Sequence, residues 1–207
     1  MSEIFALHPD NPQSRLLRKA ASIIEEGGLI IYPTDSGYAF GCNLGNKDAL
    51  ERIRKLRQLG KDHNMTLVCR DLSELSKYAI VTNPIFRLLK AFTPGSYTFI
   101  LNATRTVPKL MLSPKKRTLG LRVPEHKICL ALLESLDAPL MSSTLILPGA
   151  TSPLSEPESI MDLLGNQVDL IINGGNCSHE PTTVVDLTGE YPVVIREGKG
   201  NPAPFKI

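Results

Sequence analysis

The sequence has little that would take it out of the ordinary globular class. Its 207 residues hold no stretch approaching the ~18 apolar residues a membrane-spanning helix needs. The opening MSEIFALHPDNP has no basic segment followed by a long apolar one, so no secretory leader is expected. Four cysteines, Cys42, Cys69, Cys129 and Cys177, lie far apart and form no C-x-x-C pair. Reduced, mostly buried thiols in a cytoplasmic protein are the expectation. His8, His63, His126 and His179 are equally scattered, which argues against a structural zinc site. The formal net charge of +2 is too small to announce a nucleic-acid binder, so any basic surface has to be local. Also missing are the nucleophile elbow, the GxxxxGK[ST] phosphate loop, GxGxxG and HExxH. A nucleotide, if bound, needs a different architecture.

What is present reads as one α/β domain over residues 1–207, with a twisted, mixed open sheet. NPQSRLLRKAASIIEEGG has the apolar spacing of a helix, with Asn11 as cap, Pro12 in the first turn and Gly27-Gly28 as the stop. LIIY follows as a strand. NKDALERIRKLRQLG is a second helix, capped by Asn46 or Asp48 and ended by Gly60. MTLVCR, PGSYTFILNAT, LGLRVP, PLMSST and VDLIING read as strands, and TTVVDLTGEYPVVIREG as two more joined by a turn. DLSELSKYAI, NPIFRLLKAF, HKICLALLESLDA and SEPESIMDLLG read as helices, the last capped by Ser155. Several strands are continuous apolar runs, as in a covered sheet. Adjacent strands without a helix between them exclude a purely parallel one.

Polar clusters sit at the strand ends, where open α/β sheets bind ligands. YPTDSGYAFG offers Thr34, Asp35, Ser36 and Tyr38, which make either a turn with a packing tyrosine or one wall of a pocket. RKLRQLGKDHN offers Lys55, Arg57 and His63, as a solvated helix end or as a phosphate clamp. Ser142, Ser143 and Thr144 either satisfy a turn or hold a ligand. Thr182 opens a strand and Arg196 lies past the end of another. Arg105, Lys109, Lys115, Lys116 and Arg117 form the most local basic patch, a solvated loop or a surface for RNA phosphates.

Taken in order, GGLIIYPTDSGYAFGC, RIRKLRQL, HNMTLVCRDLSEL, TPGSYTFIL, LGLRVP, APLMSST, VDLIINGG and TTVVDLTGEYPVVIREG resemble the YrdC domain family, most closely its YciO branch. The resemblance spans nearly the whole chain. It implies a YrdC/RibB-like open sheet with a large concave, positively lined cavity. It implies formation of threonylcarbamoyl-AMP and pyrophosphate from threonine, bicarbonate and ATP, with Mg²⁺ on the phosphates. Downstream partner proteins would then carry the threonylcarbamoyl group to tRNA. The YciO alternative is a double-stranded RNA- or tRNA-binding protein with little catalysis. The patch Lys109, Lys115, Lys116 and Arg117 would serve that role.

Residue by residue, the resemblance assigns Lys55 and Arg57, the family's Lys-x-Arg, to the ATP phosphates and the transition state. Thr34, Tyr38, His63, Thr98, Arg122 and Thr182 match substrate-pocket positions. Ser142, Thr144 and Arg196 match the nucleotide side. Two departures stand out. The family's Ser-x-Asn reads Thr144-x-Ile146, which replaces an amide that both donates and accepts by an alkyl group. The proline expected after Lys-x-Arg is replaced by Gln58-Leu59-Gly60.

Overall fold

A computed structural model describes residues 2–60, 63, 65–112 and 116–206. In chain order the elements are β1 (Glu3–Ala6), α1 (Ser14–Glu25), β2 (Ile30–Thr34), β3 (Gly37–Asn43), α2 (Lys47–Arg57) and β4 (Thr66–Val68). Then come α3 (Leu72–Tyr78), α4 (Asn83–Phe92), β5 (Tyr97–Asn102), β6 (Thr118–Arg122), α5 (Lys127–Leu136) and β7 (Leu140–Thr144). The last are α6 (Pro157–Leu164), β8 (Leu170–Asn173), β9 (Thr183–Asp186) and β10 (Val193–Arg196). Short 3₁₀ turns cover Lys109–Met111 and Ala203–Phe205.

All ten strands join one sheet in the order β1-β8-β2-β3-β7-β4-β6-β5-β9-β10. It is mixed, as expected. β1 and β2 run parallel to β8, β4 to β6 and β5 to β9; the remaining neighbours are antiparallel. Both faces are covered over the first half. Ile30, Tyr32, Leu140, Leu170 and Ile172 pack against α1 and α5 through Leu17, Ile24, Leu132 and Leu133. Ile31, Phe40, Met141, Ile171 and Phe99 pack on the other face against Leu50 and Ile53 of α2, Leu75 of α3, Leu89 of α4 and Ile160 of α6. This double coverage explains the near-continuous apolar strands.

Several local expectations are corrected. YPTDSGYAFG runs through a β2–β3 hairpin whose turn is Asp35-Ser36, with Gly37 at φ +113°, where an L side chain is strained. β3 was hidden because it is buried on both faces and so lacks alternation. Asn11 does not cap α1, which starts at Ser14 after Gln13. Asn46, not Asp48, caps α2 by accepting from Ala49 N at 2.9 Å. The same helix stops at Arg57, before Gly60, because Gln58 turns left-handed. Ser155 does not cap α6; its hydroxyl bonds His179 Nδ1 at 2.9 Å instead. Cys42 and Cys129 are buried and free, and burial pushes both thiols up to about 12, so neither is poised to react. Among the described residues no helix is long and apolar enough to cross a membrane.

Candidate active site

The second half of the sheet carries a cavity of about 350 Å³. Its floor follows from strand parity. Cross-strand partners share a face, and Thr66 pairs with Gly120, Gly120 with Ile100, and Thr98 with Val184. One face therefore presents Thr66, Gly120, Thr98, Ile100, Thr182 and Val184, and all six line the cavity. The odd positions Phe99, Leu101 and Val185 enter the core beneath. Gly120 keeps the floor open: a Cβ there would sit 3.1 Å from both Thr66 Oγ1 and Thr98 Cγ2.

The walls are cationic. Arg57, at the last turn of α2, is half-buried; its Nε donates to the Ile146 carbonyl at 3.1 Å and its Nη1 to Ser143 Oγ. Arg196, at the end of β10, donates from Nη2 to the Thr182 carbonyl at 2.8 Å. The Thr182 and Thr98 hydroxyls lie 2.8 Å apart in the floor. His63 completes the rim; it and Arg196 keep contact with solvent there while the cavity walls desolvate them in part. No lining residue among those described is acidic. Burial, then the neighbouring Arg196, brings the Arg57 guanidinium down to about 10. Burial also lowers Arg196. His63 falls below the usual imidazole range through burial and then through Arg57, Arg196 and Arg54. Cations crowded without counter-charge make a site for an anion.

A β-bulge delivers Arg196. Val193 pairs with Asp186 and Val194 with Val185, but the next partner, Val184, faces Arg196 rather than Ile195. Unbroken alternation would place Arg196 on the core face with Val194. The extra residue turns it onto the cavity face.

Of the residues expected from the sequence, Arg57, His63, Thr98, Thr144, Thr182 and Arg196 are brought together here. Lys55 is not: it is exposed and lines a separate surface hollow with Arg52, Leu56 and Gln167. Residues two apart on a helix point in nearly opposite directions, so α2 splits the Lys-x-Arg pair while its helical turn persists. Ser142 does not line the cavity either: paired with Thr66 it lies on the floor's face of the sheet, but its hydroxyl is 2.8 Å from that of Tyr32 and donates to the Phe40 carbonyl. Its neighbour Ser143 is the cavity-side hydroxyl.

Thr34, Tyr38 and Arg122 form a different cluster at the hairpin tip. Thr34 Oγ1 donates to the Gly37 carbonyl at 2.6 Å. Tyr38 OH donates to the Gly175 carbonyl at 2.8 Å and accepts from Gly174 N at 3.1 Å. Arg122 and Asp35 make an ion pair with both side chains only 6% exposed, and Ser96 Oγ donates to the same carboxylate at 2.6 Å. None of the three lines the cavity. Lys109, Lys116 and Arg117 are exposed on the surface; Lys115 lies outside the described residues. Thr66, Gly120, Ile100 and Val184 went unnoticed in the sequence, although the parity of MTLVCR, LGLRVP, YTFIL and TTVVD would have grouped them.

Residues 22–198 match the family model Sua5_yciO_yrdC, whose description is "Telomere recombination". The chain belongs to the Sua5/YciO/YrdC family. It is 55% identical to the uncharacterised protein YciO of Escherichia coli (strain K12) over 205 residues, 99% of this chain and 100% of that one. The crystal structure of E. coli YciO superposes with a TM-score of 0.97 over 100% of both chains. A threonylcarbamoyl-AMP synthase of Pyrococcus abyssi is 30% identical over 88% of this chain and 54% of its own length. The crystal structure of P. abyssi Sua5 complexed with L-threonine is 26% identical, with a TM-score of 0.87 over 95% of this chain and 58% of that one. The Sua5/YciO/YrdC fold is thus confirmed at both the sequence and the backbone level. Gln58 sits at φ 51°, which the proline ring cannot adopt.

Proposed function

We propose that the cavity forms threonylcarbamoyl-AMP from threonine, bicarbonate and ATP. The observation that carries this reading is the lining itself: two guanidiniums and an imidazole over a floor of hydroxyls, without an acidic residue among those described. The named synthases among the relatives support it. The chemistry asks for such a lining. Threonine's amine adds to carbon dioxide derived from bicarbonate, losing a proton to give a carbamate. A carbamate oxygen then attacks the α-phosphorus of ATP, a P–O bond forms, and the bond to pyrophosphate breaks. An anion attacks a polyanion, so fixed cations at the phosphates lower the barrier.

In this reading Arg57 holds the phosphates. Two of its five donors are anchored on Ser143 and Ile146, which fixes the fork and leaves the others for a ligand. Arg196 acts from the opposite wall, anchored on Thr182. The hydroxyls of Thr98, Thr144 and Thr182 orient the amino acid and the nucleotide. Mg²⁺ has no ligand set of its own in this lining, and no group of three or more His, Cys, Asp or Glu suited to a metal occurs among the described residues. The ion accordingly enters with the ATP phosphates, and no step is assigned to a protein-held metal.

Ile146 contributes its carbonyl to Arg57 and an alkyl group to the cavity. The anchoring of Arg57 is therefore independent of the side chain at this position. The nucleotide loses one side-chain hydrogen bond, about 1–2 kcal/mol, and turnover is slowed rather than abolished. The test is pyrophosphate release with ATP, bicarbonate and threonine, with each omitted in turn and the adenylate detected by mass. Threonine-dependent release supports the reading; release indifferent to threonine, or none at high enzyme concentration, overturns it.

A further inference from the structure

We propose that the β-bulge at Ile195 is the positioning device that sets which side chain of β10 reaches the anion in the cavity. The proposal rests on the reading above, in which Arg196 is an anion ligand. β10 is the last strand of the sheet and pairs only with β9. Its register is regular through Val193–Asp186 and Val194–Val185, then shifts so that Arg196 opposes Val184. Val184 lines the cavity, whereas Val185 lies in the core. Ile195, 57% exposed, is the residue left without its own partner on β9.

Parity gives the consequence. In an antiparallel pair, directly opposed side chains share a face, and a shift of one residue exchanges the faces. Were Ile195 paired with Val184, an isoleucine would enter the cavity and Arg196 would turn to the core side beside Val194. The cavity would lose one of its two guanidiniums. The bulge averts both outcomes with a single extra residue. Edge strands accommodate such an insertion because one side of the ladder is free. Selection thus resides in backbone count, and the chemical identity of residue 195 is secondary.

Two variants with opposite expectations test this, with inorganic triphosphate as the probe in isothermal titration calorimetry and Arg196→Ala as the reference. Arg196→Ala is expected to weaken binding by about 10-fold or more, the loss of a charge-assisted contact. The exchange Ile195→Arg with Arg196→Ile keeps composition and length but moves the cation to the unpaired position. It is expected to lose as much as Arg196→Ala. Deletion of Ile195 removes the bulge yet leaves Arg196 opposite Val184, so it is expected to bind within about threefold of wild type. Thermal melting without ligand accompanies each variant, because a merely structural role would shift the free protein's midpoint and spare the affinity of the folded fraction. The pyrophosphate-release assay adds a split: the exchange raises the KM for ATP more than it lowers kcat.

An exchange variant that binds like wild type overturns the inference, as does a folded deletion variant as weak as Arg196→Ala. If the deletion variant does not fold, the length-preserving exchange still decides. If Arg196→Ala itself binds like wild type, Arg196 is no anion ligand and the inference falls with that assignment. A loss in Arg196→Ala with none in the exchange rejects the bulge alone.

Discussion

Two polar clusters occupy neighbouring strand ends of this molecule, and they have opposite characters. At the hairpin tip, Thr34, Asp35, Ser36, Tyr38 and Arg122 bond one another and nearby backbone, although Arg122 Nε has no partner among the described residues; the Asp35–Arg122 pair is closed off from water. In the cavity, Arg57, His63 and Arg196 face one another around open space, with donors to spare and no acidic partner in the described lining. Both clusters contain the residue types a ligand site requires. What separates them is where their hydrogen bonds already go. A site for an external anion is built from cations whose anchors are carbonyls and hydroxyls; a structural knot pairs its cation with its own carboxylate.

The sharpest break of this comparison is at the tip. Arg122→Ala leaves the Asp35 carboxylate buried beside a cavity. A loss of about 3–5 kcal/mol in unfolding free energy is expected from denaturant titration. A loss below about 1 kcal/mol would mean that the pair is not structural. Next comes the cavity. Arg57→Ala is expected to lower threonine-dependent pyrophosphate release by about 10²-fold or more. Lys55→Ala, on the exposed side of the same helix, should change it by only about two- to threefold, the size of a screened surface charge. Equal losses in the two variants would restore the paired clamp.

Ile146→Asn sharpens the nucleotide side. If the amide finds its contact, ATP use should improve by the equivalent of about 1–2 kcal/mol, read as a lower KM. An unchanged or higher KM would contradict the proposed loss of a nucleotide contact at Ile146. The smallest effect is in pH. His63 and His126 are both held below the ordinary imidazole range by burial, so between their folded values and the unfolded value of about 6.5 the unfolded chain binds more protons. Stability is full above that unfolded value and declines as pH falls toward the folded ones. His63→Gln should flatten part of this decline in urea midpoints measured from pH 8 to pH 5.5. A decline identical to wild type would remove His63 from the account.

Much of this was legible in the residues. Apolar runs between helical periodicities announce a mixed, covered sheet, and the strand-end motifs contain Arg57, Thr98, Thr144, Thr182 and Arg196, which meet in the cavity. The other positions lie elsewhere for physical reasons. Lys55 neighbours Arg57 in the chain but not in space, because a helix sends residues two apart to opposite sides, and Ser142 shares the face of Thr66 but spends its hydroxyl on Tyr32 and Phe40. Thr34, Tyr38 and Arg122 lie outside this lining and bond within the hairpin-tip cluster, and composition does not disclose which hydrogen bonds are internal. Arg196 reaches the cavity only through a bulge, which breaks the very alternation a reader of the strand would rely on.

The most direct measurement is a crystal structure with a non-hydrolysable ATP analogue, Mg²⁺ and threonine. Phosphate oxygens are expected within hydrogen-bond distance of the Arg57 and Arg196 guanidiniums, with Lys55 outside the ligand's reach. Phosphates bound instead on the outer side of α2, at Lys55 and Arg52, would contradict that placement.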